Sequence, residues 1–184
     1  HPRDPLVFGR WSDRVFNHAH SHLDELKWLD AEGPKSTALI RHLQSNHSAY
    51  DYVFFFSYRY YHSYHGAKTL PSRAILVPTA ERDEAIGLEL SPRIFRAVRA
   101  LMYNSPEEKR LIQTVSANHH VPGVVVGIGS DIPQRSQPER FRQKYGISGR
   151  FALYVGRIDQ NKGCKELFSF FLNGLDALPQ GLEL

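Results

Sequence analysis

Two cationic side chains follow a short apolar segment near the end of this 184-residue sequence. Residues 151–155 form a continuous apolar run, as in a buried parallel strand, and parallel sheets bind ligands where strand ends meet the following helices. A guanidinium, an ammonium and the unpaired amides of a helix N-terminus together favour a phosphate or diphosphate. We therefore expect a phosphate or diphosphate ligand to bind between this run and the next helical pattern. Four residues there are the candidates: Gly156, Arg157, Lys162 and Gly163.

Acidic side chains follow an earlier predicted strand at residues 74–77. Glu81, Asp83 and Glu84 could act as acids or bases, but acidic residues are also common in the first turn of a helix. Of these three residues, we expect only Glu81 to lie near a ligand site.

The histidines and the single cysteine offer weaker signals. His18, His20 and His22 recur at every second position, which on a strand would align three metal ligands. Ser21 instead predicts the start of a helix, so the three rings should diverge, and no metal site is expected. Cys164 has no second cysteine to pair with and is interpreted as a small helix residue that packs inward.

Residues 58–65 mix tyrosines, histidines and an arginine after a predicted strand. Three interpretations of this aromatic segment stay open. Its rings could line a pocket for an acceptor sugar, stack on unpaired nucleic-acid bases, or pack on an adjacent helix with their polar tips in water.

Composition indicates a folded chain, with 41% apolar and 12% aromatic residues. A net charge of +4 is compatible with anionic partners but does not choose among them. No apolar stretch approaches the roughly 20 residues that span a bilayer. Because no signal-peptide pattern is present either, we expect a cytoplasmic location.

Helix and strand patterns alternate along the chain. Helices are predicted to begin at Ser21, Ser36 and Ser105, the last with a proline and a glutamate that complete a capping box. Continuous apolar runs are typical of buried parallel strands, so we expect an α/β fold, a doubly wound Rossmann-like parallel sheet with flanking helices. The strands before the two cations are predicted at residues 52–57, 74–77, 98–103 and 124–126.

A domain boundary is predicted between Ser130 and Gly149, where Gln, Arg, Ser and Pro replace the apolar rhythm. Gly127 and Gly129 precede this boundary without the third glycine of a dinucleotide fingerprint, so we interpret them as a tight turn. A short amphipathic helix is predicted at residues 138–145 within the boundary. One strand and one helix follow, which bury too little surface to form a domain alone.

Five segments occur in the order and register of a known family: residues 54–58 (FFFSY), 75–80 (ILVPTA), 101–105 (LMYNS), 126–131 (VGIGSD) and 154–157 (YVGR), the last followed by Lys162 and Gly163. Taken together they resemble the family 4 glycosyltransferases, retaining enzymes that bind a nucleotide-sugar between two Rossmann-like domains.

This resemblance implies part of a GT-B architecture. Residues 1–130 would be the later part of the N-terminal, acceptor-side domain, residues 131–149 the interdomain linker, and residues 150–184 the first strand and helix of the C-terminal, nucleotide-sugar-binding domain. A glycine-rich loop would then precede His1 and a pair of glutamates would follow Leu184. The chain by itself is therefore expected to be inactive.

The resemblance also implies a hexosyltransferase-like activity, as in polysaccharide biosynthesis: a sugar passes from a nucleotide-sugar donor to a hydroxyl of a sugar or glycan acceptor, with retention. Arg157 and Lys162 would hold the donor diphosphate and stabilise its growing charge, and Gly156 and Gly163 would allow close approach. Glu81 stands where many members carry a histidine that contacts the donor sugar. No metal, other cofactor or nucleic acid is expected, and peripheral membrane association of the intact enzyme is compatible with this function.

Two alternative functions stay open. A nucleotide-sugar epimerase of the same architecture would need acid and base carboxylates that face one sugar carbon. A basic, aromatic RNA-binding module would show salt-dependent binding that is lost when Tyr60 and Tyr61 are removed.

Overall fold

A computed structural model describes residues 3–132, 134–158, 162–174 and 182–183 of the chain. The chain divides into two compact units, His1–Gly129 and Ser130–Leu184. The first unit holds three helices followed by alternating strands and helices. In chain order these elements are α1 (Pro5–Asn17), α2 (His22–Glu32), α3 (Thr37–Ser45), β1 (Val53–Phe56), α4 (Tyr61–Thr69), β2 (Ala74–Val77), α5 (Leu90–Ala97), β3 (Ala100–Tyr103), α6 (Pro106–Ser116) and β4 (Gly123–Val125).

The four strands of the first unit form one parallel sheet in the order β1-β2-β3-β4. Each connection between neighbouring strands carries a helix, and α4, α5 and α6 contact one another in turn. The predicted Rossmann-like α/β fold with a parallel sheet is confirmed. Within the described part of the chain, however, the strand order runs in one direction and lacks the reversal of a doubly wound sheet.

The core of the first unit lies between the sheet and its helices. Phe55, Leu76 and Leu101 occupy neighbouring positions on β1, β2 and β3, and all three are buried. Ile94 and Phe95 of α5 are also fully buried in this cluster. The strands thus hold their carboxyl ends at one edge through a continuous apolar core.

The edge strands β1 and β4 differ from the expectation. Phe54 and Phe56 are 51% and 61% exposed, and Val124 is 56% exposed, whereas Phe55 is buried. The strand predicted at residues 52–57 is present as β1, but the expectation that it is buried was wrong for one of its two faces. Successive side chains of a strand point to opposite faces, and only the face of β1 that carries Phe55 packs into the core.

The N-terminal helices depend on their caps. The α1 helix was not predicted, but the Asp4 side chain caps it by accepting hydrogen bonds from the amides of Leu6 and Val7. Pro5 occupies the first helical position, where its missing N–H costs nothing. Ser21 caps α2, as predicted, through a capping box that its hydroxyl shares with Asp24.

The second unit contains α7 (Pro138–Tyr145), β5 (Arg150–Phe151), α8 (Cys164–Asn173) and β6 (Leu182–Glu183). The predicted helix at residues 138–145 is confirmed, but the expected buried strand at residues 151–155 was wrong. β5 pairs with β6 over two residues only, and Leu153 and Val155 are 60% and 83% exposed. These two side chains lie beyond that pairing, so the sheet does not bury them.

Candidate functional site

The loops that follow β1 and β2 carry unusual backbone conformations. Ser57 and Thr79 have φ values of 63° and 48°, in the left-handed region that favours glycine. The amide of Ser57 donates to the carbonyl of Val77 (2.9 Å), and the amide of Tyr58 donates to the carbonyl of Pro78 (3.0 Å). Strained residues of this kind concentrate at ligand sites, so the carboxyl edge of the sheet is the candidate ligand site.

One buried carboxylate joins the loop after β2 to the loop after β3. Glu108, in the first turn of α6, accepts the amide of Ala80 at 2.6 Å and the amide of Asn104 at 2.5 Å. Ser105 caps the same helix by accepting the amide of Glu108 (3.1 Å). The ends of β2 and β3 are therefore fixed relative to the N-terminus of α6, as a ligand site at this edge requires.

A cavity of about 610 Å³ opens beside this carboxylate. Glu81 lies on its wall, directly after the fixed amide of Ala80. The other charged lining residues are Arg82, Glu107 and Arg110, and Glu107 pairs with Arg110 at 2.5 Å. A wall of carboxylates and guanidinium groups suits a ligand rich in hydroxyl groups, such as a sugar, which both donates and accepts hydrogen bonds. The complete lining is Ala80, Glu81, Arg82, Ser105, Glu107, Glu108, Arg110, Leu111 and Thr114.

The other two acidic residues of this segment do not line the cavity. Asp83 accepts the hydroxyl of Tyr58 at 2.8 Å, the guanidinium of Arg59 at 3.0 Å and the amide of Ile86 at 3.1 Å. Burial, reinforced by the Asp83 carboxylate, raises the pKa of Tyr58 far above its ordinary value, so its hydroxyl remains a donor. Glu84 is exposed and begins a short helical turn, residues 84–87. Asp83 thus anchors the loops after β1 and β2.

Sequence reasoning missed an ion-pair network at the same edge. Glu32, the last residue of α2, is buried and pairs with Arg59 (3.1 Å) and Arg3 (2.7 Å). Burial raises the pKa of Glu32, while the two guanidinium groups act in the opposite direction. Arg59 also contacts Asp83, so α2 is tied to the loops after β1 and β2. The sequence did contain one signal of a functional acidic face on α2: Glu25 and Glu32 are seven residues apart, which places both on one face of the helix.

Three tyrosines of the aromatic segment 58–65 pack into the protein, whereas Tyr60 and His62 are half-buried and stack on each other with ring centroids 5.7 Å apart. Tyr58, Tyr61 and Tyr64 are 4%, 7% and 1% exposed. His65 lies between the rings of Tyr61 and Tyr64, with ring centroids at 4.5 and 5.4 Å. Rings held in this way offer little face for stacking on a base, and the packing interpretation accounts for them.

The two predicted diphosphate ligands lie in the second unit, before α8. Arg157 and Lys162 are both exposed, and residues 159–161 lie outside the described residues. Gly163 has a φ of +69° and directly precedes the first helical residue, Cys164. Its left-handed conformation explains the need for glycine here, because a β-carbon would strain this turn.

Two contacts fix the backbone at Arg157. Its carbonyl oxygen accepts the hydroxyl of Tyr154 at 2.7 Å and the thiol of Cys164 at 3.6 Å. A β-carbon at Gly156 would lie 2.8 Å from the Tyr154 hydroxyl oxygen, so glycine at this position allows the Tyr154 hydroxyl to reach the Arg157 carbonyl. Arg157 is therefore attached to the start of α8, while Glu81 belongs to the first unit. The ligand-binding roles stay predictions for all five residues: Gly156, Arg157, Lys162, Gly163 and Glu81.

Searches against protein-family models, curated proteins and solved structures find no match to this chain. Among the described residues, no helix has both the length and the apolar character required to cross a membrane. The expected family and chemistry therefore depend on the residues themselves.

Proposed function

We propose that this chain is part of a retaining glycosyltransferase that uses a nucleotide-sugar donor. The observation that carries the proposal is the start of α8: the carbonyl of Arg157 accepts the thiol of Cys164, the first helical residue, and Lys162 directly precedes the left-handed Gly163. Two cations close to helix N-terminal amides provide the charge that a diphosphate needs.

In the proposed reaction, the bond between the sugar and the diphosphate breaks and negative charge grows on the departing oxygen. Arg157 donates in a planar fork to the diphosphate, and Lys162 adds a compact positive charge. Because both charges are in place before the bond breaks, they stabilise the transition state more than the ground state. The acceptor oxygen then bonds to the anomeric carbon with retained configuration, and its proton passes to the departing diphosphate oxygen.

The cavity of the first unit provides the second part of the proposal. Glu81 projects from a loop that Glu108 fixes by accepting the neighbouring amide of Ala80. We assign Glu81 to a hydroxyl of the sugar, as a hydrogen-bond acceptor in place of the histidine of many family members. The alternative RNA-binding function depends on Tyr60 and Tyr61, and the burial of Tyr61 speaks against it, because base stacking needs exposed aromatic faces.

Nucleoside diphosphate binding by the chain, measured by calorimetry with UDP, GDP and ADP, tests the proposal. We expect one of the three to bind saturably. Arg157→Ala and Lys162→Ala should each weaken that binding roughly 10- to 100-fold, because a charge-assisted hydrogen bond contributes about 1.5–3 kcal/mol.

Arg150→Ala and Lys144→Ala are the matched controls, because both residues are exposed cations of the same unit outside the turn. Circular dichroism checks that each variant keeps its fold. The proposal fails if the controls weaken binding as much as the turn variants do, or if none of the nucleotides binds. Transfer by the intact protein, with retention established by NMR of the product, separates glycosyl transfer from nucleotide binding alone.

A further inference from the structure

A second cavity of the first unit, of about 600 Å³, is lined by imidazole and carboxylate groups. It lies where the beginning of α2 meets the beginning of α5, away from the residues assigned above. The side chains that matter here are His20, His22, Glu25 and Glu89. None of them belongs to the residues proposed to bind the donor.

Glu25 is the fixed centre of this group. Its side chain is 3% exposed, and its two oxygens accept the amides of Glu89 and Leu90, both at 2.9 Å. The carboxylate therefore caps α5 from α2, across more than sixty residues of sequence. Each oxygen keeps a second lone pair after accepting one amide hydrogen.

Three possible ligand atoms, one of them from this carboxylate, lie close together. His22 Nδ1, a carboxylate oxygen of Glu25 and a carboxylate oxygen of Glu89 all lie within 4.8 Å of one another. His22 Nδ1 is 3.7 Å from Glu25 Oε2 and 3.5 Å from Glu89 Oε2. This nitrogen is enclosed and has no hydrogen-bond partner among the described residues.

The two separations from His22 Nδ1, 3.7 and 3.5 Å, are close to those around a metal ion. With bonds of about 2.0–2.2 Å, the ligands of a tetrahedral zinc ion lie roughly 3.3–3.6 Å apart. Small rotations of His22 and of the half-exposed Glu89 side chain would therefore close the set around an ion. Three protein ligands next to a cavity would leave the fourth position open to water or a small ligand.

The surrounding contacts orient the donor atoms. Arg93 pairs with Glu89 Oε1 at 2.5 Å, which leaves Oε2 directed at His22. His20 Nδ1 lies 3.0 Å from the carbonyl oxygen of His18, which can only accept, so this nitrogen carries a proton. The other ring nitrogen, Nε2, lies 3.2 Å from Glu25 Oε1, so His20 is held against the buried carboxylate.

We propose that His22, Glu25 and Glu89 form a binding site for a first-row divalent cation, with Zn²⁺ as the best chemical fit. One imidazole nitrogen and two carboxylate oxygens are ligands that zinc accepts, and two carboxylates balance its charge. His20, held by the carbonyl of His18, lies beside Glu25 as an outer partner of the site. The competing explanation is a cluster of protonated histidines paired with carboxylates and without metal.

A zinc titration tests this proposal. The chain is first freed of metal with a chelator, and its zinc binding is then measured in competition with a chromophoric chelator. We expect saturable binding of one ion that His22→Ala and Glu89→Gln each weaken about tenfold or more. Co²⁺ serves as a second probe, because its visible ligand-field absorption reports coordination directly. That absorption should appear with the parent chain and be absent with His22→Ala.

His18→Ala and Glu107→Gln are the matched controls, because both residues are exposed members of other ion pairs. Glu25 is left unchanged because its carboxylate caps α5. Circular dichroism before zinc addition establishes that each variant is folded. Absence of saturable binding by the parent chain overturns the proposal in favour of the protonated cluster, and so does equal affinity of the parent, His22→Ala and Glu89→Gln.

Discussion

Buried glutamates organise the loops of the first unit. Glu25, Glu32 and Glu108 are 3%, 3% and 6% exposed, and each has partners on a distant segment. Glu25 and Glu108 accept backbone amides, whereas Glu32 pairs with two arginines. Such residues are stable inside a protein only because every partner is in place, so their removal should be costly.

Glu108→Gln tests this view at the carboxyl edge of the sheet. The carboxylate accepts two amides, whereas the glutamine amide offers one accepting oxygen and places an NH₂ group against the other amide. We expect a loss of about 1–3 kcal/mol in the free energy of unfolding, measured by urea denaturation. Glu107→Gln, an exposed neighbour paired with Arg110, should change stability by less than about 0.5 kcal/mol. Equal effects of the two substitutions would contradict the role of Glu108.

The half-buried His65 predicts a pH dependence of stability. Burial, helped by nearby Lys68 and Lys35, lowers the pKa of His65 below its ordinary value of 6.5. Since the unfolded chain then binds the proton first as the pH falls, acidification should destabilise the folded state. We expect the parent to lose more stability between about pH 7.5 and pH 5 than His65→Gln, which does not titrate in this range.

His119→Gln is the control for this measurement, because His119 is exposed at a loop. Its pH profile should match that of the parent. A steep acid loss that persists unchanged in His65→Gln would show that other groups are responsible.

The contact between α4 and β1 depends on a glycine. A β-carbon at Gly66 would lie within 2.8 Å of ring carbon Cζ of Phe55, the buried side chain of β1. Gly66→Ala should therefore destabilise the chain by about 1–3 kcal/mol in urea denaturation, because the ring has to move within a packed core. Gly9→Ala in α1 meets no atom within 4 Å and should instead stabilise it by roughly 0.5–1 kcal/mol. Similar effects of the two substitutions would refute the close packing.

The success of sequence reasoning differed from element to element. Strong local signals succeeded: the serine caps of α2, α3 and α6 lie where they were predicted. The α1 helix was missed although Asp4 followed by Pro5 is a helix start and Phe8, Trp11 and Val15 recur at helical spacing. The apolar run at 151–155 predicted a buried strand, but burial depends on neighbouring strands that a local pattern does not contain.

The candidate sites show the same limit. Glu81 could be placed near the carboxyl edge because it follows a parallel strand directly. The roles of Glu25 and Glu108 depend on partners at Leu90 and Ala80, far away in sequence. Residue spacing along one helix cannot reveal such partners, since only the assembled fold brings them together.

The two units of the molecule differ in how much they bury. The first contains the apolar cluster around Phe55 and Leu76, whereas of the described residues after Gly129 only Cys164 is buried. We expect residues 1–129, expressed alone, to unfold cooperatively in urea with the same midpoint as the main transition of the whole chain. Residues 130–184 alone should show no cooperative transition, because they bury too little apolar surface. A second, independent transition from residues 130–184 would contradict this expectation.

The most direct test of the diphosphate site is an NMR titration of the ¹⁵N-labelled chain with the nucleoside diphosphate that binds best. We predict that the largest amide shifts fall on Arg157, Lys162, Gly163 and Cys164, because the ligand is proposed to lie at that turn and at the N-terminus of α8. The Arg157→Ala variant should lose these shifts while its other signals stay in place. Shifts confined to residues outside the turn, or unchanged in Arg157→Ala, would contradict the proposed role of this site.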